Sequence, residues 1–416
     1  MDVDGDRLRT DIERNAEFGR IETGGGRGRT VLAGTDANRA AREYLLDRLT
    51  AAGLATRIDA VGTVVGRWVP DGADPEAAPV AAGSHLDSVP AGGIFDGPLG
   101  VYAALEAVRT LQAADVPLSR PIEVVSFTEE EGARFADGLL GSSVAAGERT
   151  VEEALALTDE EGVRLGDALA EIGFRGERAL DASEWDAFLE VHVEQDTVLE
   201  TRGVPVGIVT DITGISHSSV RIRGEADHAG ATAMGDRTDA LAAASEFVLE
   251  LEAAGNRAAE AGDNTAVATV GKCTVRPNAT NVVPGSVDLG VDVRDIDGQV
   301  MRELLGKAEG FLEDLEVERG VETTVERHLE VDPAPMATRC RQALESEAAT
   351  MDLDSLDLHS GAAHDAMHVV RVTDAGMLFA PSRGGYSHSP LEWTDWADCA
   401  TATRVLAGAM KRLSSE

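Results

Sequence analysis

The fold is decided by 79-PVAAGSHLDS-88, a short apolar run that ends in polar side chains. A second run of the same kind, 121-PIEVVSF-127, leads directly into 128-TEEEG-132. Between the two runs, the apolar residues from about 99 to 113 recur at helical spacing. Strands that alternate with a helix favour an α/β sheet with a buried interior, and chemistry in such sheets gathers at the carboxyl ends of strands. The polar residues after both runs therefore mark a candidate site.

Further elements of this α/β domain lie on both sides of the two strands. Residues from Thr35 to about 52 show helical spacing, and Gly53 follows as a helix C-cap would. The stretch 61-VGTVVGRWV-69 predicts another strand. Residues 150–187 form a polar, acidic connection with short helices, and another helix is predicted over 334–350.

A second domain is predicted from a different order of elements. Its predicted elements are a strand over 218–226, a helix from about 238 to 254, strands over 265–275 and 285–295, a helix over 299–315 and a strand over 320–328. This βαββαβ order is that of the ferredoxin-like split unit. We therefore predict one domain formed by residues 1–212 and 329–416, into which residues 213–328 are inserted.

The charge excludes several classes of partner. The 416 residues include 74 acidic and 37 basic side chains, which give a formal net charge of −37. Such a field repels phosphate backbones and anionic lipids, so neither a nucleic-acid partner nor a membrane surface is expected. Because the acidic residues are spread along the whole chain, we predict a halophilic protein, adapted to molar salt that screens its self-repulsion.

Cysteine usage and the beginning of the chain predict a cytoplasmic protein. The three cysteines, Cys273, Cys340 and Cys399, are scattered, which argues against a disulfide framework and against a thiolate zinc site. The first residues, MDVDGDRLRTDIER, are acidic and contain no apolar stretch of the kind found in a signal peptide. No run approaches the roughly 18 apolar residues that a membrane span requires.

Metal-binding residue types recur in five segments that are far apart in the sequence. These segments are 83-GSHLDSVPAGGIFDGPLG-100, 127-FTEEEGARF-135, 189-LEVHVEQD-196, 225-EADHAGATAMGDRTDAL-241 and 384-GGYSHSPLEW-393. The chain has only nine histidines, yet one lies in every segment except the glutamate run. Imidazole and carboxylate ligands without thiolate suit zinc, manganese or cobalt, and a carboxylate can bridge two such ions.

With these motifs, the sequence resembles the M20-type dinuclear metallohydrolases. Within them it is most similar to the amidase branch of N-carbamoyl-L-amino-acid hydrolases, allantoate amidohydrolases and β-ureidopropionases. The similarity covers nearly the whole chain and is weakest in residues 1–30 and 150–187. It implies an α/β fold whose zinc-peptidase-like catalytic domain has a mixed sheet and two metals. It also implies that the inserted ferredoxin-like domain, 213–328, forms a homodimer and acts as a lid.

The resemblance also implies the metal site. Two divalent ions per subunit are expected, zinc or manganese, with cobalt and nickel as alternatives. The implied ligands are His85 and His192 for the first metal, Glu131 and His388 for the second, and Asp96 as the bridge between them. The resemblance further places Asp87 behind the first metal, where its carboxylate would accept the other N–H of the His85 ring.

The general base is expected in the glutamate run. The family pattern is an acid or an amide followed by Glu-Glu-Gly, whereas this chain has three glutamates. Alignment on Gly132 makes Glu130 the base and Glu131 the ligand, and leaves Glu129 as the departure from the family. A register shifted by one residue is the alternative.

Substrate contacts are implied in both domains. His228 would reach the active site of the partner subunit in the homodimer and stabilise the oxyanion. Asn281 and Arg294 resemble the pair that binds the substrate carboxylate, and Gln195 would bind the ureido group. Two points stay open, since Arg294 could form a plain salt bridge with a neighbouring aspartate and Asp196 replaces the family's usual glycine.

These residues predict cleavage of the carbamoyl (ureido) C–N bond of N-carbamoyl-L-amino acids or allantoate, with release of ammonia and carbon dioxide. One alternative keeps the metals but hydrolyses N-acyl-amino acids or dipeptides. Another is a catalytically silent ligand-binding dimer, which would be expected to lack a ligand or the base. Of the five histidines outside the motifs, His217 is interpreted as structural or exposed. His359, His364 and His368 are left out of the metal set, because their segment resembles one that supports or packs against the site in the family.

Overall fold

The computed structural model describes residues 1–135, 138–262 and 264–415. The chain divides into two compact units. One is formed by Met1–Thr210 together with Pro335–Glu416, and the other by Asp211–Ala334. In the described part of the chain, no helix is both long enough and apolar enough to cross a lipid bilayer.

Strands and helices are numbered here in chain order. The strands are β1 Arg20–Ile21, β2 Gly28–Arg29, β3 Ala55–Ile58, β4 Val64–Trp68, β5 Val80–His85, β6 Ile122–Phe127, β7 Ala187–Val193, β8 Val206–Ile212, β9 Gly214–Arg223, β10 Asp227–His228, β11 Val267–Arg276, β12 Val282–Val283, β13 Ser286–Asp295, β14 Glu322–Val331, β15 Ala334–Pro335, β16 Ser355–Ser360 and β17 Asp374–Ala380. The α-helices are α1 Gly5–Asn15, α2 Asp36–Ala51, α3 Pro98–Ala114, α4 Leu140–Ala145, α5 Val151–Ala156, α6 Leu165–Glu171, α7 Val198–Arg202, α8 Ala240–Ala261, α9 Gly298–Arg319, α10 Thr338–Thr350, α11 Ala366–Val369 and α12 Trp396–Ser414.

The first unit is built on a mixed β-sheet. Its strands follow the order β15-β8-β17-β7-β5-β6-β4-β3, and β16 pairs with β8. The central strands β17, β7, β5 and β6 are parallel, whereas β8, β4 and β3 pair antiparallel with their neighbours. Every residue of β5, β6 and β7 is buried, as expected for central parallel strands. The predicted α/β class with a mixed sheet is confirmed.

Apolar helices cover this sheet and close the core of the first unit. Helix α3 packs on β5, β6 and β7, and α12 packs on α3 and on β17. Buried side chains such as Leu105 and Val108 of α3 and Leu406 and Met410 of α12 belong to one continuous cluster. The core therefore fixes the three central strands whose ends carry the predicted motifs.

The second unit has its own sheet and its own core. Its four-stranded sheet is antiparallel, with the order β11-β13-β9-β14, and the short strands β10 and β12 form a separate pair. Buried residues alternate with partly exposed ones along β13, so one face of the sheet packs on α8 and α9. In chain order, the main elements are β9, α8, β11, β13, α9 and β14.

Both long helices of this unit continue beyond their predicted ends. Helix α8 ends at Ala261 rather than at about residue 254, because Gly255 does not stop it but packs closely against Ala268 of β11. Helix α9 ends at Arg319 rather than at 315, and Gly320, at φ +67°, provides the C-cap. A glycine inside a helical pattern can therefore reflect helix–strand packing rather than a helix end.

Candidate metal centre and active site

The candidate site of the first unit lies at the carboxyl ends of three neighbouring parallel strands. His85 is the last residue of β5, and His192 is the next to last residue of β7. Residues 129–131 follow β6 after a single intervening threonine. Because β7, β5 and β6 are adjacent and parallel, their carboxyl ends meet at one edge of the sheet. The fold thereby brings together side chains that are more than a hundred residues apart.

Asp96 lies in the loop between β5 and α3 and faces both of these histidines with one oxygen. Its Oδ1 is 3.6 Å from His85 Nε2 and 3.2 Å from His192 Nε2. All three side chains are buried, and one ligand atom of each lies within 4.8 Å of the others. A single metal ion can therefore reach all three side chains.

The other carboxylate oxygen of Asp96 faces a second group. Asp96 Oδ2 is 3.8 Å from His388 Nε2, and the same nitrogen is 3.2 Å from Glu131 Oε2. These three residues also offer ligand atoms within 4.8 Å of one another. Asp96 is therefore common to both groups, and each of its oxygens faces a different one.

Each of the two buried histidines has one ring nitrogen that is available to bind a metal ion. His85 Nδ1 is 3.2 Å from the carbonyl oxygen of Asp87, and His192 Nδ1 is 3.0 Å from that of Val193. A carbonyl oxygen only accepts, so each Nδ1 carries the hydrogen and each Nε2 presents a lone pair. Neither Nε2 has a hydrogen-bond partner among the described residues. Because a buried, unpaired acceptor is costly, these residues fit metal ions.

Asp87 contacts the site differently from the expectation. Its carboxylate Oδ1 is 3.8 Å from His85 Nδ1, which is beyond hydrogen-bond distance, so the main-chain carbonyl is the acceptor instead. The other carboxylate oxygen accepts the backbone N–H of Glu131 at 3.1 Å. Asp87 therefore orients His85 through its backbone and Glu131 through its side chain. The motif identifies this residue, but the conformation of the loop decides which oxygen is used.

Glu129 points away from the cluster and stabilises the segment that follows it. Its backbone has φ +53°, and its Oε1 accepts the N–H groups of Arg134 and Phe135 at 2.7 and 2.6 Å. Burial raises the pKa of this carboxyl to about 7. Glu129, the additional acid of this chain, is thus occupied in local structure.

Glu130 and Glu131 both face the cluster. Glu130 Oε2 is 3.5 Å from His85 Nε2, while Glu131 is the carboxylate beside His388. Burial raises the pKa of Glu130 well above its ordinary value, and the neighbouring carboxylates Glu131 and Asp365 raise it further. Of the three glutamates, Glu130 and Glu131 thus face the cluster, whereas Glu129 does not.

Gln195 is hydrogen-bonded to the shared carboxylate. Its Nε2 donates to Asp96 Oδ2 at 3.1 Å and to Ser387 Oγ at 2.8 Å. Its backbone has φ +62°, and its N–H donates to Ser382 Oγ at 3.0 Å, which fixes this left-handed conformation. Gln195 is thus held at the site by contacts with three residues of the first unit. Its neighbour Asp196 is exposed.

His228 and Asn281 lie side by side in the second unit. Strand β10 pairs with β12 so that His228 is opposite the residue after Asn281, and the Asn281 carbonyl accepts the N–H of Ala229 at 3.0 Å. His228 Nδ1 accepts the N–H groups of Gly230 and Ala231 at 3.0 and 3.1 Å. The side chains of His228 and Asn281 are exposed.

Arg294 lies on β13 of the second unit and forms an ion pair. Its Nε and Nη2 each donate to the carboxylate of Asp292 at 2.9 Å. His217 Nε2 also contacts this carboxylate at 3.2 Å. Arg294 therefore forms the salt bridge that the sequence left open as its alternative role, and a substrate carboxylate would have to share or displace Asp292.

Several buried charged residues beside the site were not predicted, and those in the described part of the chain include Arg29, Glu190, Asp365 and Glu392. Glu190, for example, accepts from Ser84 Oγ at 2.7 Å and from the N–H of Ala366 at 2.9 Å. Glu190 and Glu392 lie within the predicted motifs, two residues from His192 and four residues from His388 respectively. Arg29 lies where the family resemblance is weakest, so no sequence signal identified it.

Gly97 is required by the close approach of the loop to His85. It has φ +80°, and a Cβ atom there would lie 2.5 Å from the His85 ring. We expect Gly97→Ala to lower the free energy of unfolding by more than the about 1 kcal/mol that a positive φ alone costs. Because the clash moves a ligand, the metal content after dialysis should also fall.

Gly53→Ala is the matched control for Gly97→Ala. Gly53 has a similar φ of +78°, but a Cβ there would meet nothing within 4 Å. Thermal unfolding should therefore show only a small loss of stability for Gly53→Ala. The metal content of this variant should be unchanged. Equal losses of stability in the two variants, with metal fully retained in both, would contradict the role given to Gly97.

Fold and site together define a class of protein. A cluster of imidazole and carboxylate groups that can hold metal, beside a buried glutamate at the carboxyl edge of a mixed α/β sheet, is typical of a metal-dependent hydrolase. The chain belongs to the peptidase family M20/M25/M40, whose family model matches residues 81–412. The resemblance inferred from the motifs is confirmed, and the protein is a hydrolase acting on C–N bonds.

Curated relatives and a solved structure match almost the entire chain. It is 38% identical over 392 residues to an N-carbamoyl-L-amino-acid amidohydrolase of Paenarthrobacter aurescens, covering 93% of this chain and 94% of the relative. It is 35% identical over 405 residues to an allantoate amidohydrolase of Bacillus subtilis, covering 97% and 96%. A crystal structure of an amidase of the hydantoinase/carbamoylase family from Burkholderia multivorans superposes with a TM-score of 0.92 at 35% identity, covering 100% and 99%.

Proposed function

We propose that this protein is a two-metal amidohydrolase that cleaves the carbamoyl (ureido) C–N bond of N-carbamoyl-L-amino acids or allantoate, releasing ammonia and carbon dioxide. The observation that carries the proposal is the Asp96 carboxylate, whose two oxygens face separate groups of ligand side chains beside Glu130. The relatives named for carbamoyl amino acids and allantoate support a ureido substrate.

In this proposal, two divalent metal ions complete the site. His85, Asp96 and His192 hold one ion, and Asp96, Glu131 and His388 hold the other. Imidazole and carboxylate ligands suit zinc or manganese, with cobalt and nickel as alternatives. When bound, such ions lower the pKa of water and polarise the substrate carbonyl oxygen.

Glu130 moves the proton of the reaction. Its Oε2 takes a proton from the attacking water and later donates it to the nitrogen that leaves. The raised pKa of this carboxyl, caused first by burial, favours the protonated form that the second step requires. Asp87 supports this chemistry indirectly, because it orients both His85 and the backbone of Glu131.

His228 stabilises the oxyanion. Because its Nδ1 accepts two backbone N–H groups, its Nε2 carries the hydrogen and can donate to the substrate oxygen as negative charge develops. Arg237 supports this loop, since its Nη2 donates to the carbonyls of Ala229 and Thr232 at 2.7 and 3.0 Å. In the homodimer that we propose, His228 serves the active site of the partner subunit.

Replacement of His228 by Gln is expected to lower kcat on the order of 10²-fold, which is the usual effect of losing one oxyanion donor. Metal content should not change, because His228 belongs to the second unit and to neither ligand group. His359→Gln is the control, since His359 is exposed on β16. Ammonia release and metal content of both variants check this expectation, and a His228→Gln enzyme with wild-type kcat would contradict it.

Action across the dimer interface has its own test. We expect a mixture of His228→Gln and Glu130→Gln subunits, refolded or exchanged together, to regain activity that neither variant has alone. In the mixed dimer, one site combines an intact Glu130 with the partner's intact histidine. If His228 acts within its own subunit, mixing restores no activity.

Substrate recognition is assigned to three residues. Arg294 and Asn281 bind the substrate carboxylate, for which the planar guanidinium is well suited, and Asp292 keeps that guanidinium oriented beforehand. Gln195 uses Nε2 for Asp96, which leaves its Oε1 to accept an N–H of the ureido group. A ureido group beside a carboxylate is common to carbamoyl amino acids and allantoate.

The two predicted domains are proposed to have different roles. Residues 1–212 and 329–416 form the dinuclear-metal catalytic domain, and residues 213–328 form a ferredoxin-like dimerisation and lid domain. The element order of the second unit and its two-helix core support this assignment. Three free cysteines fit a reducing cytoplasm, and the acidic composition fits activity in molar salt.

The deciding experiment is an assay of ammonia release in molar potassium chloride with added manganese. The substrates are N-carbamoyl-L-amino acids, allantoate and 3-ureidopropionate, with N-acetyl-amino acids and dipeptides scored separately by free amine. Ammonia from a ureido substrate supports the proposal, and the best substrate identifies the natural class. Free amine from the acetyl or dipeptide substrates alone would contradict it and favour an N-acyl-amino-acid or dipeptide hydrolase.

A further inference from the structure

The loop that carries the shared ligand is bound from two sides by buried, charged side chains. Residues 86–96 connect His85, at the end of β5, with Asp96. Arg29 and Glu392 both contact the main chain of this loop, and each is at most 1% exposed. The family resemblance gave neither of them a role.

Arg29 binds the loop through four main-chain carbonyls. Its Nε donates to Gly93 O at 3.1 Å, and its Nη1 donates to Leu86 O at 3.1 Å. Its Nη2 donates to the carbonyls of Asp87 and Asp96, both at 3.2 Å. One guanidinium therefore connects the residues next to His85 with Asp96 itself. Its positive charge also lies among the carboxylates of the site.

The backbone around Arg29 adds to this support. The N–H of Arg29 donates to Gly92 O at 3.0 Å, so the main chain of Arg29 is fixed to the same loop. Two residues later, Val31 and Ser88 exchange hydrogen bonds at 2.9 and 3.0 Å. The segment 29–31 is thus hydrogen-bonded along the loop, and this holds the Arg29 guanidinium within reach of the loop carbonyls.

Glu392 binds the N–H groups of the same loop. Its Oε1 accepts from Phe95 at 2.9 Å and from Asp96 at 3.0 Å. The approach is so close that a Cβ at Gly93 would lie 2.3 Å from this oxygen. Arg29 thus binds carbonyl oxygens of the loop, and Glu392 binds its N–H groups.

We propose that Arg29 and Glu392 are positioning residues that fix the Asp96 carboxylate so that each oxygen faces its own ligand group. The proposal rests on the proposed two-metal function. A bridging carboxylate has to satisfy two ions at once, and such sites tolerate errors of only about 0.5 Å in their ligands. The main chain of Asp96 is bound on its carbonyl by Arg29 and on its N–H by Glu392, so both of its peptide groups are fixed.

Arg29→Lys is the first test. Lysine keeps the charge, but one ammonium cannot reach four carbonyls that a planar guanidinium spans. We expect metal affinity to fall by about 10- to 100-fold, as is typical when a partner that orients a ligand is lost. The readouts are the manganese dissociation constant, from chelator competition, and kcat and KM measured separately. At saturating metal, kcat should fall. The KM for substrate should stay within about threefold of wild type, because Arg29 is buried against the main chain of the loop.

Arg109→Lys is the matched control. Arg109 is also a buried arginine, but its Nη1 binds the carboxylates of Asp11 and Glu106 at 2.7 and 3.5 Å. It lies on α3, eleven residues after Pro98, where that helix begins, and it belongs to neither ligand group. This variant should lower Tm, with manganese affinity within about twofold of wild type.

A pair of Glu392 variants tests the proposal even if Arg29→Lys does not fold. Glu392→Gln keeps an acceptor oxygen for the two N–H groups, whereas Glu392→Leu removes it. We expect Glu392→Gln to retain metal affinity within about threefold and Glu392→Leu to lose about tenfold or more. This difference depends on the acceptor oxygen and not on the volume of the side chain.

The proposal is overturned if Arg29→Lys or Glu392→Leu lowers Tm as Arg109→Lys does but binds manganese as tightly as wild type. It is also overturned if Glu392→Gln and Glu392→Leu lose equal affinity, because the acceptor oxygen would then be irrelevant. Wild-type protein that binds metal but hydrolyses no ureido substrate would contradict the proposed function alone. The comparison of metal affinities would still decide the role of these two residues.

Discussion

Asp96→Asn should abolish turnover by removing the charge that the two ligand groups share. Asparagine has nearly the same shape, but it cannot place a negatively charged oxygen toward each of the two ligand groups. Losing several kcal/mol of transition-state stabilisation corresponds to a fall in kcat/KM on the order of 10³-fold or more. Metal analysis after dialysis should show that both ions are lost or weakly held, rather than one of them.

Asp59→Asn is the control for this substitution. Asp59 is as deeply buried as Asp96, and it accepts the backbone N–H groups of Val61, Thr63 and Leu180 without belonging to either ligand group. Its replacement should lower Tm but leave the bound metal in place. If Asp96→Asn retains both ions and its activity, Asp96 is not the bridging ligand.

Glu130→Gln is expected to retain both metal ions but to lose activity. An amide cannot take a proton from water and return it to the leaving nitrogen, and general acid–base catalysis of this kind contributes about 10²- to 10⁴-fold. Glu130 belongs to neither ligand group, so metal content should equal that of wild type. The measurement is kcat for ammonia release together with metal content, both determined on the same preparation.

Glu129→Gln tests the register of the glutamate run. Its Oε1 accepts the N–H groups of Arg134 and Phe135, and glutamine can supply the same acceptor. We therefore expect the Glu129 variant to keep kcat within about tenfold of wild type, since it loses no proton-transfer group. A Glu129→Gln enzyme without turnover, beside an active Glu130→Gln enzyme, would place the base one residue earlier.

Part of the candidate site could be predicted from the sequence by a topological rule. His85, His192 and the glutamate run each follow or end an apolar strand, and parallel strands bring such positions to one edge. The spacing of Asp96 and His388 gives no such information, and their roles came from the family resemblance alone. The structure places Asp96 beside the strand ends, with His192 facing one of its carboxylate oxygens and His388 facing the other.

Other parts of the site could not be predicted, because they depend on the conformation of loops. The left-handed backbone at Gln195 directs its side chain to Asp96, although glutamine rarely adopts this conformation. The guanidinium of Arg29 donates to main-chain oxygens in the described part of the chain, so no pattern of side chains marks it. The end of α8 was misplaced for a related reason, since only the packing of Gly255 on Ala268 explains why the helix continues.

The proposed reaction requires two metal ions that act together on a ureido bond. The test is to titrate the metal-free protein with manganese while ammonia release from an N-carbamoyl-L-amino acid is measured. We predict no activity without metal and a maximum at two equivalents per chain, one for each ligand group that shares Asp96. Full activity at one equivalent, or activity that does not depend on metal, would contradict the account.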